Sequence, residues 1–165
     1  MMITLTGFMG GGKTTVGRLL ADALGCPFMD LDDLIVKKAG KSIPDIFAQD
    51  GEPAFRQLEA QVLRKTVEKY AESTAVLALG GGAVLAPASA ALLHEKTVCI
   101  YLRATIDTLL ERLAGETAGR PLADDAMASR LAEREPIYEK TAHAIIDTDG
   151  LSPDEVADEI IISAL

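Results

Sequence analysis

Gly7-Phe8-Met9-Gly10-Gly11-Gly12-Lys13-Thr14 follows the apolar run Met2-Ile3-Thr4-Leu5-Thr6 and precedes Thr15-Val16-Gly17-Arg18-Leu19-Leu20. The spacing is G-x-x-x-x-G-K-[ST], between a strand pattern and a helix pattern. Glycines at these points let backbone N–H groups converge on phosphate oxygens. The lysine reaches the β- and γ-phosphates, and the threonine hydroxyl takes a Mg²⁺ position. A helix leaving the loop adds partial positive charge where the phosphates sit. The stretch therefore predicts a phosphate-binding loop at the head of an α/β domain.

Working outward, Ile3 to Thr6, Ala75 to Leu79, Thr97 to Leu102 and Ala144 to Ile146 are near-continuous apolar runs, with a shorter one at Pro27-Phe28-Met29. Unbroken apolar strands are those covered on both faces, as in a parallel sheet. Helical patterns lie between them: Thr14 to Leu24, Asp32 to Ala39, Glu52 to Tyr70, Ala88 to His94, Thr105 to Leu113 and Ala126 to Thr141. Ser42-Ile43-Pro44-Asp45 and Ser152-Pro153-Asp154-Glu155 read as capped helix starts, the second with a full capping box. At 165 residues the chain predicts one domain, 1–165, of about five strands.

Composition narrows the function classes. A net charge of −9 argues against a nucleic-acid or anionic-membrane surface. No apolar run approaches the roughly 18 residues of a membrane span, and the apolar start is too short for a signal peptide, so a cytoplasmic protein is expected. Cys26 and Cys99 lack metal-ligand spacing and read as small hydrophobes, and His94 and His143 as structural. In so acidic a chain, cations must be concentrated where polyphosphate binds.

Asp30-Leu31-Asp32-Asp33 leaves the second strand at the end where parallel α/β sheets bind ligands. In an extended segment Asp30 and Asp32 share a face and Asp33 points away, into the first turn of the next helix. Helix capping explains Asp30 and Asp32 as well as a site does. Beside a phosphate loop, a metal-water role for one and a substrate-hydroxyl role for the other gain weight. Gly80-Gly81-Gly82 is a tight turn or a place where backbone meets a ligand. Arg56 and Glu59, three apart on one helix face, form an ion pair with no further role on their own evidence. The aperiodic stretch 114–126 is either a surface loop or a lid. Water exclusion around phosphoryl transfer, and Arg120 within it, favour the lid.

Taken together, these pieces fit one family. Gly7 to Thr14, the F-x-D-x-D run Phe28 to Asp32, the D-G-E-x-x-F-R-x-x-E run Asp50 to Glu59, Gly80 to Gly82, Arg120-Pro121-Leu122 and Arg134-Glu135-Pro136-Ile137-Tyr138 occur in the order and spacing of shikimate kinases. The resemblance spans nearly the whole chain. It implies a three-layer α/β/α P-loop kinase fold with a five-stranded parallel sheet in the order 2-3-1-4-5, a substrate-binding region at about 32–60 and a mobile lid at about 114–126. It also implies a monomer that transfers the γ-phosphoryl of ATP to the 3-hydroxyl of shikimate with Mg²⁺, without nucleic-acid or membrane partners.

Carried onto this sequence, the resemblance makes Lys13, Asp32 and Arg120 catalytic. Gly10, Gly11, Gly12, Lys13, Thr14, Thr15, Arg112 and Arg120 would bind the nucleotide, with Arg112 against adenine and Arg120 reaching from the lid. Asp32, Arg56, Gly80, Gly81, Gly82 and Arg134 would hold shikimate, with Glu59 orienting Arg56, and Thr14 and Asp30 would serve the metal. One position departs: Ala78, where the family often has a small hydroxyl residue, leaves more of the metal duty to Lys13 and Thr14. A guanine-selective switch would carry N-K-x-D, and the chain has no asparagine. A sister kinase for another polyol acid such as gluconate is the nearer rival, and Asp32, Arg56 and the triple glycine favour shikimate.

Overall fold

A computed structural model describes residues 1–116 and 124–165. Five parallel strands, β1 (Met2–Thr6), β2 (Phe28–Asp30), β3 (Ala75–Ala78), β4 (Thr97–Arg103) and β5 (Ala144–Asp147), lie in the order β2-β3-β1-β4-β5. The order is the expected one. The connecting helices are α1 (Lys13–Leu24), α2 (Leu31–Ala39), α3 (Ile43–Asp50), α4 (Glu52–Lys69), α5 (Pro87–Lys96), α6 (Ile106–Glu116), α7 (Asp124–Thr141) and α8 (Pro153–Ala164).

Every residue of β1 and β3 is buried, because these central strands have a neighbour on each edge and helices on each face. Side-chain alternation splits the apolar residues into two cores. Ile3, Leu5, Val76, Ile100 and Leu102 pack with Val16, Leu20, Val156 and Ile160 of α1 and α8. Met2, Leu77 and Tyr101 pack on the other side with Leu31, Ile35, Phe55, Leu63 and Tyr138. The chain leaves β1 toward β2 on one side and later passes to β4 on the other, so β1 stands at the topological switch point where such sheets bind ligands.

The packing of α1 is close enough to exclude a methyl group. A Cβ on Gly17 would lie 2.5 Å from Cε1 of Phe28 and 3.4 Å from a Leu5 methyl. Gly17→Ala is expected to destabilise the fold by about 1–3 kcal/mol despite the better helix propensity of alanine. A denaturant midpoint unchanged or raised would contradict this.

Two expectations are corrected. The helix expected from Asp32 begins at Leu31, so Asp30 and Asp32 do not share the face of an extended segment, and Asp32 as well as Asp33 stands in the first turn of α2. The cause is local: the Asp30 side chain accepts from the Asp32 N–H at 2.9 Å and caps the helix at once. The stretch 114–126 is helical at both ends, since α6 continues to Glu116 and α7 begins at Asp124. Those end turns lack apolar periodicity, and acids in a first turn are favourable through the helix dipole. The remaining 117–123, with Arg120, lies outside the described residues. The helix start expected at Ser42 is met: it opens α3, which Gly51 divides from α4. The capping box at Ser152 is present as expected.

Candidate active site

The loop after β1 leaves the first turn of α1 open. Its N-cap is Gly12 in the left-handed region, φ 82°, with no side-chain cap, and no acid stands in the first turn. The free N–H groups of Gly12 to Thr15 are thus left for an anion. The Lys13 ammonium donates to the carbonyls of Gly7 at 2.6 Å and Phe8 at 3.0 Å, which holds it across the loop. Burial lowers its pKa to about 8, against the opposing pull of Asp32 and Asp30, while Arg134 lowers it slightly further.

From the tip of β2, Asp30 ties two helices together. One carboxylate oxygen accepts from the Thr14 hydroxyl at 2.8 Å and the other from the Asp32 N–H. Capping and the metal-side role are therefore compatible in one residue. In the sheet, Asp30 pairs directly with Ala78, whose methyl gives it no further hydrogen bond.

The third strand ends just before the triple glycine, and Asp32, Arg56, Glu59 and Arg134 gather around that turn. Cβ atoms built on Gly80, Gly81 and Gly82 would meet three different side chains. On Gly80 it would lie 3.2 Å from an Asp32 carboxylate oxygen and 3.5 Å from Glu59. On Gly81 it would lie 3.4 Å from the Arg134 guanidinium, and on Gly82 only 2.5 Å from both terminal nitrogens of Arg56. At Gly82 the Arg56 guanidinium occupies the space a Cβ would need, at Gly80 a Cβ would be tight, and at Gly81 it would make ordinary contact.

Arg56 is held on three sides. It donates to the buried Glu59 at 2.8 Å, lies 3.7 Å from Glu52, and stacks over the Phe55 ring at 5.2 Å. The pair expected to be a plain surface ion pair is half-interior, Glu59 being 4% exposed. Burial pushes the Glu59 carboxyl up, and the Arg56 hydrogen bond and charge resist that shift. Burial likewise raises Asp32, with Asp30 adding to the effect and Lys13 opposing it. Arg134 of α7 completes the group, its guanidinium 5.8 Å from the centre of the Phe8 ring.

On the other side of the loop a cavity of about 260 Å³ is lined by Gly10, Gly11, Gly12, Thr15, Arg112 and Thr148 with apolar residues of α1 and α8. Arg112 donates to the Gly10 carbonyl at 3.3 Å and to the Thr148 hydroxyl at 3.2 Å. It forms a wall of that cavity.

A polyphosphate loop, a carboxylate aimed at the cleft and two arginines converging on a glycine turn define a small-molecule kinase site. The family model described as shikimate kinase matches residues 9–164. The chain belongs to the shikimate kinase family. The shikimate kinase of Enterococcus faecalis is 42% identical over 164 residues, covering 96% of this chain and 95% of that relative. Among solved structures, the shikimate kinase of Acinetobacter baumannii in complex with shikimate superposes with a TM-score of 0.85 at 34% identity, covering 97% of this chain and 90% of that one. That of Aquifex aeolicus gives 0.84 at 36% identity, covering 99% and 95%. With the family comes the activity, ATP-dependent phosphorylation of shikimate in aromatic amino acid biosynthesis.

Within this shikimate kinase family framework, the described residues expected at the site lie in the turns after β1 and β3, at the tip of β2, and on α1, α2, α4, α6 and α7. Sequence reasoning gave no role to Tyr138 or Thr148. Tyr138 is buried one turn after Arg134, and its phenol donates to the Gly81 carbonyl at 2.5 Å, pinning the glycine turn. The signal was its place four residues after Arg134, on the same helix face. Thr148 is buried just past β5, donates to the Arg103 carbonyl at 3.1 Å and positions Arg112. Nothing in the local sequence marks it.

Proposed function

We propose that ATP lies along the loop Gly7 to Thr14 with its base toward Arg112, and that the 3-hydroxyl of shikimate, held by Asp32, attacks the γ-phosphoryl in line. The observation that carries this reading is the meeting of Asp32, Arg56 with Glu59, Gly80 to Gly82 and Arg134 within reach of Lys13. Arg56 and Arg134 take the carboxylate of the acceptor, and the glycine turn offers backbone groups to its hydroxyls. Phosphoryl transfer passes through a loose transition state, so positioning and charge neutralisation supply most of the acceleration. Lys13 contributes the charge next to the phosphates. Arg120, outside the described residues, is assigned to the lid by the family resemblance.

The donor set suits Mg²⁺. Among the described residues no cluster of three or more His, Cys, Asp or Glu forms an all-protein cage. The oxygens offered are the Thr14 hydroxyl and the Asp30 carboxylate, hard donors that fit an ion which keeps waters and substrate phosphates. When bound, the ion would neutralise phosphate charge. The setting we propose is a cytoplasmic monomer of one domain, 1–165, with its substrate-binding region at about 32–60 and a lid between α6 and α7, acting without nucleic-acid or membrane partners. In support, the chain is acidic, and no described helix is long and apolar enough to cross a membrane.

The deciding assay measures Mg²⁺-dependent ADP release with shikimate, gluconate or no acceptor. Release is expected with shikimate, and an equal acceptor-free rate would overturn the reading. The low Lys13 pKa adds a pH signature. The affinity of the free protein for MgADP is expected to fall as pH rises through about 8, where the ammonium loses its charge. Binding above that pH is accompanied by proton uptake. The sign for stability is opposite: between about 8 and 10.5 the unfolded chain holds more protons than the folded one, so this group's contribution grows with pH. In Lys13→Arg, charged throughout, the binding limb near pH 8 should vanish. Its persistence would assign the limb to another group.

A further inference from the structure

A second cavity, of about 410 Å³, opens between α2 and α4, away from the phosphate loop. It shares no lining residue with the nucleotide-side cavity, and none of Asp32, Arg56, Glu59 or Arg134 borders it. Leu34 of α2 with Leu58 and Val62 of α4 form an apolar floor. Around it stand Lys37 and Lys38 from α2 and Lys65 and Lys69 from α4. The helical spacing explains the grouping. Leu34, Lys37 and Lys38 share one face of α2, and Leu58, Val62, Lys65 and Lys69 share one face of α4, a face different from that of Arg56 and Glu59.

The charge arrangement is the unusual part. Acidic residues outnumber Lys and Arg by 25 to 16, so neutralising partners are plentiful. Among the described residues, however, none of these four lysines makes an ion pair. Lys65 and Lys69 are like charges one turn apart, which disfavours the helix. All four are exposed, and the Lys69 ammonium lies 5.5 Å from the centre of the Tyr70 ring. An apolar floor with few convergent polar groups is the ordinary make-up of a ligand pocket, and here the charged ones, beside the neutral Gln61, Thr66 and Tyr70, carry one sign.

We propose that this cavity binds a small amphipathic anion, a flat apolar body bearing a sulfonate, carboxylate or phosphate. The rings would cover Leu34, Leu58 and Val62, and the anionic group would be met by lysines from both helices. Burying the apolar part supplies the attraction, and the unpaired lysines supply the selection for charge. This assignment stands apart from the kinase reading, since it uses none of the catalytic residues.

The test titrates the full chain with 8-anilinonaphthalene-1-sulfonate, followed by fluorescence, with saturating MgADP and shikimate present so that the catalytic cleft is filled. One saturable site is expected. The neutral analogue N-phenyl-1-naphthylamine should bind at least about tenfold more weakly. Lys65→Glu/Lys69→Glu should weaken the sulfonate by about tenfold or more while turnover with shikimate stays within about twofold. Should that pair disturb folding in a thermal melt, Lys37→Gln/Lys65→Gln tests the same charges more gently and should weaken binding in the same sense. Displacement of the probe by MgADP and shikimate, or equal affinity in folded lysine variants, would overturn the proposal.

Discussion

Asp32→Ala lowers kcat by about 10³-fold and leaves MgADP affinity within about threefold: that is the expected result for the carboxylate that acts most strongly on the Lys13 charge and borders Gly80. Asp32 is half-buried in the first turn of α2, with a carboxylate oxygen against Gly80. Burial and Asp30 raise its pKa from the ordinary carboxylate value, as suits a group asked to orient or accept a proton. The assay belongs at pH 7. Asp32 is the largest of the influences holding the Lys13 pKa up, so its removal lowers that pKa further. At higher pH the variant would then lose nucleotide affinity for a secondary reason. Asp32→Asn separates two roles. If proton acceptance matters, it falls nearly as far as the alanine variant; if orientation dominates, it retains a tenth or more of turnover. Near-normal turnover in Asp32→Ala would remove the residue from the mechanism altogether.

The second large effect concerns the acceptor carboxylate. Arg56→Ala should lower kcat/KM for shikimate by about 10²–10³-fold with little change in the KM for ATP, because it truncates one partner of a desolvated charge pair. It also leaves Glu59 buried without its cation, so a stability loss of about 3 kcal/mol is expected alongside. Gly82→Ala reaches the same function without touching a charge. The new methyl would need the space of both Arg56 terminal nitrogens, 2.5 Å away, and the guanidinium must swing off its line. A shikimate KM raised about tenfold is the expected outcome. The two lesions act through one contact, so Arg56→Ala/Gly82→Ala should be no worse than Arg56→Ala alone. Additive losses would show that Gly82 contributes something besides room for Arg56.

Much of this was legible in the chain because the decisive signals are local. A glycine-spaced loop between an apolar run and a helix pattern has few readings, and the strand runs of Ile3 to Thr6 and Ala75 to Leu79 gave the parallel sheet. What proved illegible was set by partners distant in sequence. Glu59 read as a solvated residue until α4 packed against the turn after β3, and Thr148 acquires its role only because β5 delivers it to Arg112. The misjudged face of Asp32 has the opposite cause. A side chain capping its own segment at Asp30 decided between strand and helix within two residues, below the span over which periodicity can be judged.

The packing of Arg56 on Gly82 bears on ancestry as well as chemistry. A lineage drifting toward a different acceptor weakens its hold on the old one if it enlarges residue 82 first, since the new side chain displaces the Arg56 guanidinium. Shortening residue 56 first strands Glu59. The least costly route therefore changes 56 and 59 together before 82, an ordering that reconstructed intermediates should display.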